Sequence, residues 1–160
     1  MSRLEELPAR VETEGEALML GACCTAIATL VVVSLYQLGK IDHLPDPPGN
    51  IFASEKITSS KVAHPLGIPD GLLGLASYGS TLALIVLSYR NTAYTRALGV
   101  KLALDAGAAS VNSGRQVICF GKLCSWCTGT ALATGVMAYA GRRRIVDSAT
   151  SVARAVSIRA

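Results

Sequence analysis

Cys124 and Cys127 stand three positions apart in the run KLCSWCTGTALATGVMAYAG, at the first turn of an apolar segment that ends in Arg142, Arg143 and Arg144. Two thiols at this spacing can open and close a disulfide within one helical turn. If a helix begins at Cys124, its unpaired N–H groups and its dipole favour the thiolate there. Such a cysteine is a good attacking or leaving thiol in disulfide exchange. The competing reading is two helix-interface cysteines, since free cysteine is a common small apolar packing residue. A redox-capable pair at the mouth of a membrane-length segment points to electron traffic between protein thiols and an acceptor dissolved in lipid.

Other chemistry-bearing residues are few. Cys119 completes the string C-x4-C-x2-C, a spacing found in plant-type iron–sulfur proteins, which need a fourth, distant ligand. The remaining thiols, Cys23 and Cys24, lie near the far end of the first apolar segment, so they read as packing residues and no metal is expected. His43 and His64, the only histidines, fall in a loop where either could donate a proton near neutral pH. Asp70 opens the second apolar segment; it can cap the helix it starts or hydrogen-bond a polar headgroup held between spans. No Ser-His-Asp set, phosphate loop or nucleic-acid surface is present, and the basic residues are accounted for as topology determinants.

The elements that position these groups follow from where charge is missing. Of 160 residues, 51% are hydrophobic and 16% charged, too little charge to cover a soluble domain of this length. Charge-free runs of 23 residues follow Glu16, of 19 follow Asp70 and of 19 follow Lys122. A helix needs ~20 mostly apolar residues to cross a bilayer, so these are three spans. Residues 97–118 make a fourth, in which Lys101 and Asp105 sit four apart and can pair on one face; an interfacial or buried helix is the alternative there.

The expected fold is an all-α, integral membrane four-helix bundle. Residues 1–16 form a glutamate-rich cytoplasmic segment that is not a cleavable signal, and residues 17–141 form the four-span domain. A long first extracytoplasmic loop, 39–68, is extended by its prolines. Residues 142–160 form a basic tail whose Ile145, Ala149, Val152 and Val156 face the cytoplasmic lipid surface. With the N-terminus in the cytoplasm, ten Lys and Arg fall on that side and five on the other, the bias expected of membrane proteins. Cys124 and Cys127 then lie outside the cytoplasm, where disulfides persist.

Two stretches, SSKVAHPLGIPDGLLGLASYG and VICFGKLCSWCTGTALATG, occur in an order and a four-span setting that resembles the vitamin K epoxide reductase family, bacterial type. The resemblance covers most of residues 17–141. It implies a bundle around a quinone and a quinone-linked membrane thiol–disulfide oxidoreductase. In that pattern Cys127 faces the quinone and Cys124 exchanges with outside thiols. Ser60 matches the family's loop serine, and Asp70 matches the residue that hydrogen-bonds the quinone. Bacterial members reoxidise periplasmic thioredoxin-like thiol proteins and reduce ubiquinone or menaquinone, which implies the bacterial inner membrane with the redox pair facing the periplasm. The chain also departs from the pattern. Its loop has no cysteine pair, Ser54 stands where the nearer loop cysteine is expected, and Ala131 replaces a tyrosine. Three readings stay open: direct attack by a partner thiol, Cys119 as an accessory third thiol, or a catalytically degenerate quinone-binding or scaffold protein.

Overall fold

The charge-free runs become helices. The computed structural model describes residues 3–157, and the side chains of residues 14–151, 153 and 154. Helix α1 (Arg3–Gln37) runs unbroken from the acidic segment through the first apolar run. It stops where Gly39 takes φ 66°, with Gly39 N–H bonded to Tyr36 O and Lys40 N–H to Leu35 O, the paired bonds of a Schellman stop. Helix α3 (Asp70–Ser88) follows Pro69. Helix α4 (Thr92–Phe120) is capped by Asn91, whose Oδ1 accepts the Ala93 N–H at 2.8 Å, and left-handed Gly121 ends it. Helices α5 (Ser125–Ala140) and α6 (Arg142–Ser157) meet at Gly141.

Among the described residues, Glu14–Gln37 and Asp70–Ser88 are the helical stretches long and apolar enough to cross a membrane. Helix α5, with 16 residues, rises about 24 Å against a hydrocarbon layer of ~30 Å. Helix α4 is longer but carries Lys101, Asp105 and Arg115.

Helix α1 packs on α3 and α5, and α4 packs on α3, α5 and α6. Met19, Cys23, Ile85, Leu98, Leu102 and Met137 form the buried centre. Cys23 donates its thiol to Tyr78 O at 3.6 Å, a packing role, whereas Cys24 is exposed. On the α3–α4 contact Lys101 and Asp105 pair as their spacing predicts, at 2.5 Å. The pair is enclosed by hydroxyls: Lys101 also donates to Ser77 and Thr81, and both hydroxyls donate to the Asp105 carboxylate.

Helix α6 lies directly on α4. A Cβ on Gly99 would overlap the Arg144 carbonyl and the Ser148 hydroxyl, so only glycine allows this approach. Ser148 donates to Arg96 O at 2.9 Å, and Arg144 pairs with Glu16 at 2.6 Å. Of the expected lipid-facing stripe, Ile145 instead packs against the core and Ala149 is exposed; the side chains of Val152 and Val156 lie outside the described residues.

The loop is more ordered than its prolines suggest. After Pro48 no proline intervenes until Pro65, and the chain forms a short helix α2 (Ser54–Thr58) and two 3-10 turns, Lys61–Ala63 and Pro65–Gly67. Ser54, Ile57, Thr58 and Ala63 are buried, and buried backbone must pair its polar groups. Phe52 bridges to Leu123, with Ala53 N–H to Leu123 O at 2.9 Å and Leu123 N–H to Ile51 O at 3.0 Å. That clamp holds the loop against the turn that leads into Cys124.

Candidate functional site

Helix α5 starts where the thiol spacing places it. Cys124 is its N-cap, and the Cys124 Sγ accepts the Cys127 N–H at 3.1 Å. Buried Gln116 of α4 accepts the Cys124 N–H on its Oε1 at 2.8 Å, so α4 fixes the entry of α5. The two sulfurs are held as a dithiol, Cys124 with 0% of its surface exposed and Cys127 partly exposed. Cys124 lies ahead of the helix, and its thiol is held below the ordinary value. Its hydrogen bond with the Cys127 thiol is the chief cause, burial works against it, and the N–H groups of Cys127 and Trp126 and the Ser54 side chain add to it. A charge-stabilised first sulfur of this kind is what thiol exchange requires.

Behind Cys127 opens a cavity of about 350 Å³, bounded by α1, α3, α4 and α5, within the usual size of a small-molecule site. Leu30, Val33 and Leu73 give it apolar walls, and Asp70, Asn112 and Arg115 bring polar groups to the level of Cys127. Ser77, Tyr78 and Asp105 reach it further along α3 and α4. A recess of about 10 Å³, room for about one water, adjoins Cys127, Asp70, Arg115 and Gln116, and Ser60 stands on its wall. The Ser60 hydroxyl donates to Ile57 O at 2.6 Å.

Asp70 does not cap its helix. Pro69 takes the N-cap position without a side-chain bond, and the Asp70 carboxylate instead accepts the Gln37 Nε2–H at 2.8 Å. Gln37 also donates to Thr58 O at 3.1 Å and Ala63 O at 3.4 Å, and its Oε1 accepts the Gly71 N–H at 3.0 Å. One amide therefore ties the end of α1 to the loop and to the start of α3. A Cβ at position 71 would stand 2.7 Å from Ser34 Oγ and 2.8 Å from Gln37 Oε1, so Gly71 is what lets this knot close.

On the outer side, the loop folds a carboxylate over the start of α5. Asp46 Oδ2 accepts the Ser54 N–H at 2.7 Å. Its Oδ1 accepts the Ser54 hydroxyl at 2.5 Å and the Ser125 hydroxyl at 2.6 Å. Ser54 Oγ in turn accepts the Ser125 N–H at 2.8 Å, and Trp126 Nε1–H donates to Pro45 O at 3.0 Å. Partial burial pushes the Asp46 carboxyl up, but the hydrogen bonds from Ser125 and Ser54 outweigh it and leave the group below its usual range. A carboxyl depressed by folding adds stability above its unfolded pKa, and that contribution disappears as pH falls through the folded value. Wild type should therefore melt higher than Asp46→Asn near pH 7, with the gap closing below about pH 4; thermal unfolding across pH checks this.

The structure brings Cys124, Cys127, Asp70 and Ser60 to one end of the molecule. Cys119 is exposed on the last turn of α4 and lines neither the cavity nor the recess. His43 pairs with Glu55 at 2.5 Å on the outer loop, and His64 Nδ1 meets Ser60 O at 3.0 Å; neither faces the cavity. Ala131 does, leaving open the space a tyrosine would fill. Among the described residues no group of three or more His, Cys, Asp or Glu could hold a metal. Sequence reasoning passed over Gln37, Asp46, Asn112, Arg115 and Gln116. Arg115 reads from sequence as a topology determinant alone, the only signal for Gln37, Asn112 and Gln116 is polarity in otherwise apolar helices, and Asp46 lies in the proline-rich loop with no signal of its own.

The profile described as the Vitamin K epoxide reductase family matches residues 17–140. The chain belongs to this family. No curated protein and no solved structure matches it. Membership in the vitamin K epoxide reductase family makes the chain a membrane redox protein of that type, which agrees with its all-helical fold and its two apolar, membrane-length helices. Family members typically use quinones, and the residues here fit one: a largely apolar cavity with a carboxylate, an amide and a guanidinium beside a cysteine.

Proposed function

We propose that this family member is a quinone-linked thiol–disulfide oxidoreductase of the bacterial inner membrane. It takes electrons from a periplasmic thioredoxin-like thiol protein through Cys124 and Cys127. In this reading α1, α3, α4 and α5 are four spans (residues 17–141), residues 1–16 and 142–160 are cytoplasmic, and the redox pair faces the periplasm. The observation that carries it is the division of labour at the start of α5. Cys127 lines the cavity, whereas Cys124 sits one turn earlier against the outer loop.

The exchange needs only sulfur chemistry. A partner thiolate attacks Cys124 Sγ of the oxidised pair, the Cys124–Cys127 bond breaks, and Cys127 leaves as a thiolate. A second partner thiolate then attacks the mixed disulfide, and Cys124 leaves with the electron pair of that bond. The protein now holds two electrons, and the partner departs oxidised. Ubiquinone or menaquinone, when bound, supplies the two-electron acceptor. The chain's own part there is positional. Asp70, Asn112 and Arg115 offer hydrogen bonds and charge to the ring oxygens, Leu30, Val33 and Leu73 exclude water, and Ser60 holds the end of α2 beside the recess.

A second reading, a four-span quinone-binding or scaffold protein without thiol turnover, draws support from the loop's lack of cysteines and from the full burial of Cys124. Acid-trapped thiol labelling of membranes separates the two. In cells that make quinone, Cys124 and Cys127 should be disulfide-bonded, and blocking quinone synthesis should leave them reduced. A pair that stays free while quinone is present decides for the scaffold.

A further inference from the structure

The cavity beside Cys127 has two ends that differ in what they can offer a ligand. At the mouth, the Asn112 amide and the Arg115 guanidinium give their hydrogens to no other described residue. The Asp70 carboxylate there keeps acceptor capacity beyond its bond from Gln37. Seven residues back along α4 from Asn112, a rise of about 10 Å, Asp105 forms the floor with Ser77 and Tyr78 of α3. At the floor every side-chain hydrogen is already engaged. The three of the Lys101 ammonium go to Ser77 Oγ at 2.9 Å, Thr81 Oγ1 at 3.0 Å and Asp105 Oδ1 at 2.5 Å. The Ser77 hydroxyl donates to Asp105 Oδ1 at 3.1 Å, and the Thr81 hydroxyl to Asp105 Oδ2 at 2.7 Å. The Thr134 hydroxyl donates to Thr130 O at 2.7 Å, so the 2.5 Å bond between Tyr78 and Thr134 uses the Tyr78 hydrogen. What the floor has left is lone pairs, those of the Asp105 carboxylate foremost.

We infer that the floor is a second subsite, for a ligand that donates a hydrogen bond: the hydroxyl of a reduced quinone ring, not the carbonyl of an oxidised one. The inference rests on the quinone reading of the cavity. A quinone oxygen only accepts, so at the floor it faces lone pairs and a carboxylate, whereas at the mouth, beside Cys127, Asn112 and Arg115 donate to it. Once the ring carries hydroxyls it can give a hydrogen to Asp105, a bond strengthened by the charge on the acceptor. The separation of about 10 Å along α4 exceeds the span of one six-membered ring with its two oxygens, so a ring occupies one end or the other. The floor thereby draws the hydroquinone away from the sulfur at the mouth and disfavours its reoxidation there. Asp105 touches the ligand; Lys101 acts through Asp105 and is a positioning residue. An ionised pair at membrane depth is costly to keep, and clamping α3 to α4 would not require it to border a ligand space.

The test uses the full-length protein in detergent micelles, with its thiols reduced and oxygen excluded, so that no electron transfer accompanies binding. Two ligands are titrated by calorimetry: 2-methyl-1,4-dihydroxynaphthalene, and its dimethyl ether, which keeps the ring and removes both donors. Wild type should bind the diol about tenfold more tightly than the ether. Lys101→Met combined with Asp105→Leu removes both charges together and should bring the two ligands within about twofold of each other, with the ether's own affinity held within about twofold of wild type. Ala108→Leu leaves the ion pair in place and narrows the cavity between its two ends, and it should abolish the preference in the same way. Equal binding of diol and ether by wild type overturns the inference. So does a preference that survives in either folded variant, because Asp70 at the mouth would then be the acceptor. The two readings fail differently. If neither compound binds wild type, the quinone reading falls and takes the floor subsite with it, whereas equal binding of both sinks the floor subsite alone.

Discussion

Replacing Cys127 with alanine is expected to bring dithiol-driven quinone reduction to background, a loss of about 10³-fold or more. The sulfur it removes is the one on the cavity wall, and no other described cysteine lines that space. Cys124→Ala should cost as much, because the two sulfurs act as a unit, and the double variant should be no worse than either single one. Cys119→Ala separates the remaining alternative. Its exposed position on α4, away from the cavity, predicts a change of no more than about twofold, within the scatter of surface substitutions. Quinone absorbance followed in proteoliposomes with a small dithiol donor measures all four. A tenfold loss at Cys119 would restore the third-thiol route.

Lys101→Met should produce the largest loss of stability. Asp105 keeps 5% of its side-chain surface and Lys101 19%, and the pair sits among Ser77 and Thr81 rather than water. Removing one member of a buried ion pair leaves an uncompensated charge and costs about 3–5 kcal/mol, whereas replacing both members with apolar side chains is often neutral. Lys101→Met should therefore lower the thermal midpoint sharply, and Lys101→Met combined with Asp105→Leu should recover most of the loss. The non-additivity itself measures the coupling. Because Ser77 and Asp105 border the cavity, quinone affinity in the double variant also reports whether this end of the space matters for binding. If the single variant melts like wild type, the pair is not holding α3 to α4.

What could be read from the sequence was whatever a local pattern encodes. Charge-free runs marked the helices, a three-residue spacing marked the thiols, and a four-residue spacing marked Lys101 and Asp105 as partners. The loop defeated that method. Its order comes from contacts of positions 46 and 54 with position 125, far along the chain, and from a bridge between Phe52 and Leu123; no window of sequence contains both sides of either. Gln37 was invisible for a similar reason. A glutamine at the end of an apolar helix looks like an interface residue, and only the folded chain shows it holding Asp70, Gly71 and two loop carbonyls at once. The tail was half legible. Its amphipathic stripe was evident, but Gly99 shows why part of that stripe seats on protein.

Cys124 has no surface of its own, so peroxide, stray metal ions and thiols of any size reach that sulfur only when the chain over it opens. In the proposed exchange, turnover then has a ceiling set by how often that opening occurs. A macromolecular donor able to hold the opened form should outrun a small reductant of equal potential.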